Sequence, residues 1–130
     1  MNILKPIDVE NEVRLALKDY LTAYVRPLPE KFAVPSVLIT LAGGGSEDTI
    51  DTFTVTLDAR ADNDAAALDL LNTAIGVLEE RTRQQFGALR SVRINSLARW
   101  GADPVRPDLK LCTATVLVTV HRQPLTITEI

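Results

Sequence analysis

Leu41 to Ala59 reads LAGGGSEDTIDTFTVTLDA, three consecutive glycines and two acids in front of a strict alternation. Phe53, Val55, Leu57 and Ala59 point one way along an extended chain; Thr52, Thr54, Thr56 and Asp58 point the other. That period of two marks a strand of a sheet with one buried and one polar face. A phosphate-binding loop needs a helix directly after its glycines, so that the helix N-terminus and a Lys-Ser/Thr pair meet the phosphates. Here a strand follows, the run holds no lysine, and Glu47 and Asp48 would repel an anion. Gly43, Gly44 and Gly45 also lack the spacing of a dinucleotide fingerprint. The run is therefore expected to be a mobile hairpin loop between two strands.

Working outward, DVENEVRLALKDYLTAYV has Val9, Val13, Ala16, Leu17, Tyr20, Leu21 and Tyr24 at helical spacing, with Asp8 as N-cap. Pro27 and Pro29 end that helix. A first strand is expected at about Val34–Leu41 and a second at about Ile50–Arg60. A longer helix follows, capped by Asp62 or Asn63, with Leu68, Leu71, Ile75, Leu78 and Phe86 as its apolar stripe and Gly87 as a stop signal. A third strand, about Ser91–Trp100, sets Val92, Ile94 and Ala98 against Arg93, Asn95 and Arg99. After the loop GADPVRPDLK, a fourth, about Leu111–Arg122, puts Cys112, Ala114, Val116, Val118 and Val120 on one face. The tail 123–130 is either mobile or an added edge strand. The connections between adjacent strands are short, which favours hairpins over parallel crossovers. The expected fold is a single α+β domain over residues 1–130, in the order α-β-β-α-β-β. Its mainly antiparallel sheet has four strands, or five with the tail, under two helices on one face.

The 130 residues are 46% hydrophobic and 24% charged, an ordinary globular composition, and the formal net charge is −3. That charge argues against general nucleic-acid binding, which needs clustered Lys and Arg. The N-terminal MNILKPIDVENEV lacks a basic segment followed by an apolar run, so no signal peptide is expected. No window approaches the roughly 18 apolar residues of a membrane span. One cysteine allows no intrachain disulfide, which suits a reducing cytoplasm.

Catalytic and metal chemistry find little to work with. Cys112 and His121 lie nine residues apart, so on one regular strand they point to opposite faces. Cys112 reads as a small buried hydrophobe and His121 as a polar residue near a strand end. Asp48, Asp51 and Asp58 match no calcium loop and read as solvated acids. Glu79, Glu80, Arg81 and Arg83 read as a solvated helical face or a charged subunit contact. No cofactor and no metal is expected. Arg99 and Trp100, with Asp103 and Arg106 of the following loop, form either a contact patch or, for Trp100, a cap on the core.

The order of these elements resembles the tail terminator (tail completion) proteins of long-tailed bacteriophages. The likeness rests on the N-terminal helix, AVPSVLITL, the glycine-acid run feeding DTFTVTLDARA, the long helix, and ARWGADPVRPDLKLCTATVLVTVHR. The resemblance implies a structural protein and no enzyme: a subunit of a six-membered ring at the head-proximal end of the tail. Assembled in the host cytoplasm, such a ring stops polymerisation of the tail tube protein. It then offers a surface to a head-completion or neck protein, while DNA passes through its channel without specific binding. Gly43, Gly44, Gly45, Glu47 and Asp48 would then be a loop that orders against a neighbour, and Arg99, Trp100, Asp103 and Arg106 a second contact. A neck protein with the same element order, or a small cytoplasmic ligand-binding α+β domain, are the alternatives.

Overall fold

A computed structural model describes residues 1–48, 50–104 and 106–128, and of Leu97 the backbone alone. The chain runs β1 (Asn2–Lys5), α1 (Val9–Leu17), β2 (Ala23–Val25), β3 (Ser36–Glu47), β4 (Ile50–Ala61), α2 (Asp64–Arg83), β5 (Leu89–Ala102), β6 (Lys110–His121) and β7 (Gln123–Thr126). The main sheet has the order β2-β3-β4-β6-β5, and β1 pairs with β7 in a sheet of their own. All pairs are antiparallel except β2 with β3.

This corrects the expected fold. Strand makes up 48% of the described residues and helix 23%, and the strands form two sheets rather than one of four or five. The first helix is the clearest departure. Its apolar spacing continues through Tyr20, Leu21 and Tyr24, yet α1 stops at Leu17, and Lys18 is its C-cap. Beyond it Ala23–Val25 lie parallel to Val37–Ile39, and the Val37 N–H donates to the Thr22 carbonyl at 3.0 Å. Tertiary pairing of Ala23, Tyr24 and Val25 here outweighs helical spacing. The tail is a strand too, zipped to β1, with residues 129 and 130 outside the described chain.

The glycine run is the second correction. Gly43, Gly44 and Gly45 are not a loop: they sit inside β3, opposite Thr54, Phe53 and Thr52, and the chain reverses at Asp48. The cause is visible at Gly44. A Cβ there would stand 2.7 Å from the Thr52 carbonyl oxygen and 2.9 Å from Cδ1 of Phe53. The Phe53 ring lies where a side chain would be and covers the bare strand, the way an aromatic neighbour rescues a strand glycine.

Both helices pack on one face of the main sheet. Between them lie Val13 and Leu17 of α1, Leu71 and Leu78 of α2, and Val37, Ile39, Val55, Leu57, Val116 and Val118 of the sheet, all fully buried. Cys112, Ala114, Val116, Val118 and Val120 of β6 are buried as their alternation predicts. Asp8 caps α1 by accepting from the Asn11 N–H at 3.2 Å, and Asn63 caps α2 by accepting from Ala66 at 2.8 Å. The β5 stripe departs from expectation: Ile94 and Ala98 are exposed. Register shifts at Leu89/Ser91, Ile94/Ser96 and Ser96/Arg99 break its alternation.

Candidate functional site

The sheet face away from the helices is built from the threonines of the alternation. Thr113 donates to Asp58 at 2.6 Å, Ser96 and Thr115 hydroxyls lie 2.8 Å apart, and Asn95 donates to Thr115 at 3.2 Å. These cross-strand bonds satisfy the half-buried hydroxyls among themselves, so the face is polar and largely self-contained. One end of it is covered. Arg60, on this face by its pairing with Ser36 and Leu111, is buried together with Asp103, and its Nε donates to the Asp103 carboxylate at 2.7 Å. The Arg106 N–H donates to the same carboxylate at 3.2 Å. Phe32 stands 5.9 Å from the Arg60 guanidinium carbon and 5.8 Å from that of Arg106.

The other end is open. There the absent side chains of the glycines leave a concavity of about 800 Å³, lined among others by Gly45, Glu47, Asp48, Ile50, Thr52 and Leu117. A Cβ at Gly45 would meet nothing within 4 Å. This hairpin is braced from the helix side. Arg122 donates to Asp51 at 3.1 and 3.2 Å and to the Ser46 hydroxyl at 3.1 Å. The hydrogen bond from Arg122, then that from Ser46, hold the buried Asp51 carboxyl below its usual value against the opposing effect of burial.

Among the described residues the sheet ends on both sides in unpaired backbone. β2 covers β3 only at Val37–Ile39. The Leu41 N–H is taken by the Glu10 carboxylate at 2.9 Å, which also receives Arg26 at 2.7 Å. Burial pushes the Glu10 carboxyl up, but the bonds from Arg26 and the Leu41 N–H outweigh it and hold it low. From Ala42 to Glu47 no described strand lies along the outer side of β3. On the opposite side β5 pairs, among the described residues, only with β6. Glu47 and Asp48 on the first edge, and Arg93 and Arg99 on the second, have no ion-pair partner among the described residues. Ile50 at the hairpin and Ile94 and Trp100 on β5 are large apolar side chains about half exposed.

The structure therefore brings Gly43, Gly44, Gly45, Glu47 and Asp48 together on one edge and Arg99 with Trp100 on the other, three strand spacings or about 14 Å away. Trp100 does not cap the core; it is 53% exposed. Asp103, expected at a contact with Arg99, Trp100 and Arg106, is 2% exposed, because the connection after β5 folds back and uses it against Arg60. Arg106 is exposed and paired with Asp108 at 3.1 Å. Arg81, expected on a solvated face, ties the helices instead. It donates to the Ala16 carbonyl at 3.2 Å and lies 5.0 Å from the Tyr20 ring and 4.4 Å from that of Phe86.

Sequence reasoning missed Arg60, Glu10 and Arg122. Arg60 alone had a signal, a charge on the polar side of the alternation at the end of its strand. Cys112 is buried, and burial, then the nearby Asp64 charge, push its thiol up. His121 is exposed at the end of β6 against Arg90. Among the described residues no three His, Cys, Asp or Glu side chains gather as a metal site, and no helix is long and apolar enough to cross a membrane. No protein-family model and no curated protein matches the chain.

Proposed function

We propose that this chain is a self-assembling structural subunit, and that it works as the tail terminator of a long-tailed bacteriophage. The observation that carries the self-assembly is the pair of sheet edges left unpaired among the described residues, one acidic and glycine-rich, the other arginine-bearing with exposed Ile94 and Trp100. Unpaired edges invite another chain unless something blunts them. An interface between two different patches of one molecule is heterologous and closes into a ring when the rotation allows. The choice of a tail terminator within that class rests on the resemblance of the sequence.

On this reading a ring of about six copies sits at the head-proximal end of the tail, made in the host cytoplasm and retained in the virion. One ring face copies the tail tube protein's own interface and so ends the tube. The other receives the head-completion or neck protein, and DNA passes through the channel unbound. No bond is made or broken, so the protein is no enzyme.

Light scattering coupled to size-exclusion chromatography, from micromolar to about a hundred micromolar protein, tests the reading with negative-stain images. A ring with an open channel that binds the end of preformed tail tubes is the expected result. A ring that binds portal assemblies and ignores tubes would make it a neck protein. A single 14.2 kDa chain at every concentration, with tubes present or absent, would end the proposal.

A further inference from the structure

Pairing runs in level rows across the sheet, and the rows align the two edges. One row reads Gly43, Thr54, Leu117, Arg93; the next Gly44, Phe53, Val118, Val92; the third Gly45, Thr52, Thr119, Ser91. The glycine stretch of β3 is thus level with Ser91–Ile94, the part of β5 that lies between register shifts and is itself regular. Glu47, opposite Ile50 and His121, is level with the start of β5, where Arg90 is exposed.

Direction agrees with level. β3 is antiparallel to β4, β4 to β6, and β6 to β5, so β3 and β5 run oppositely. A second copy set beside the first in the same orientation therefore presents its β5 antiparallel to the free side of β3. Charge agrees as well. The hairpin from Ala42 to Thr54 carries Glu47, Asp48 and Asp51 and no basic residue, whereas β5 carries Arg90, Arg93 and Arg99 and no acid. Asp51 is already satisfied by Arg122, which leaves Glu47 and Asp48 to be matched from outside.

We infer that the partner of the glycine edge is β5 of a second copy of this chain. Ala42–Glu47 of one molecule adds as an antiparallel strand to Ser91–Ile94 of the next, with Glu47 and Asp48 beside Arg90 and with Arg93 level with Gly43, its side chain reaching along the strand toward Glu47. The bare outer sides of Gly43 and Gly45 let the Arg93 side chain lie across them, and the contact repeats head to tail. This rests on the self-assembly proposed above and specifies its interface.

A cysteine pair and a charge swap test it. Gly43→Cys with Arg93→Cys in one chain places two thiols three strands apart, beyond the roughly 7 Å Cα separation a disulfide spans. A mild thiol oxidant then links these two positions only between molecules. The expected result is a ladder of dimers, trimers and higher multimers on a denaturing gel, absent from each single variant. A ladder that stops at dimer, or none from a protein that still assembles, overturns the inference and leaves the self-assembly reading standing. Glu47→Lys with Asp48→Lys should weaken assembly at least about tenfold, and adding Arg90→Glu and Arg93→Glu should restore it, because only the opposition of charge is specified. Raised salt should weaken the native assembly in the same way. Swaps that fold normally and leave assembly unchanged also overturn it. A chain that never assembles overturns the inference and the reading beneath it together.

Discussion

Two neighbouring glycines with the same sequence appearance have opposite requirements. At Gly44 any Cβ meets the Thr52 carbonyl oxygen and the Phe53 ring, whereas Gly45 faces open space. Gly44→Ala should destabilise the protein by about 1–3 kcal/mol through forced displacement of backbone. Gly45→Ala should be neutral or stabilising by up to about 1 kcal/mol, because it removes freedom from the unfolded chain. Urea titrations of the two variants give the comparison, and equal effects would refute the account of why the glycines differ. The buried pair of Arg60 and Asp103 sets a larger scale. Asp103→Ala strands a buried guanidinium whose Nη1 already has no hydrogen-bond partner among the described residues, at a cost of about 3–5 kcal/mol. Arg60→Met together with Asp103→Leu should cost clearly less than the single change, and a double-mutant cycle in urea measures the difference.

The β3–β4 hairpin owes its position to Asp51 and Arg122. The folded Asp51 carboxyl titrates below its unfolded value, so between the two the unfolded chain binds more protons. Stability from this pair is therefore complete above the unfolded carboxylate range of about pH 4 and is lost as pH falls through the folded value. Arg122→Ala should cost about 1–3 kcal/mol at pH 7 and progressively less as pH drops below about 4. Unfolding at pH 7 and pH 3 checks it; a penalty that grows in acid would reverse the sign and refute the assignment. Elements differed in how far they could be read from sequence. β4, β6 and α2 carry clean periods because each buries one face, and those residues announced themselves. β2 and β1 are three and four residues long and exist through their partners, so no local pattern marks them. The outer half of β3 was hidden for another reason: its glycines have no intrinsic preference for a strand, and the ring that holds them there lies nine residues further along the chain. The acidic hairpin and Trp100 were legible as contact candidates by composition. Asp103 was not, because its burial depends on a fold-back against Arg60 that spacing cannot show.

At the scale of the molecule, among the described residues, one polar sheet face is left without a helix, two edges are left without a neighbour, and charges of opposite sign without an ion-pair partner sit on them. The two edges and their charges are what the proposed assembly would use, whereas the polar face bonds its own hydroxyls and needs no partner. The small sheet of β1 and β7 behaves differently. It joins the two ends of the chain, from Asn2 with Thr126 to Lys5 with Gln123, in four pairs of largely exposed side chains, and its outermost bonds run between Met1 and Ile127. Its side chains bury little apolar surface, so little holds it closed once the rest of the chain has folded. It should therefore form last and open first, as a small cooperative unit of its own. Amide exchange tests this directly: protons at Ile3 and Leu125 should wash out at least about a hundredfold faster than those at Leu57 and Val116, by an opening that leaves the rest of the chain closed. The protein would then spend part of its time as a complete core with two loose ends, a breathing motion confined to one corner.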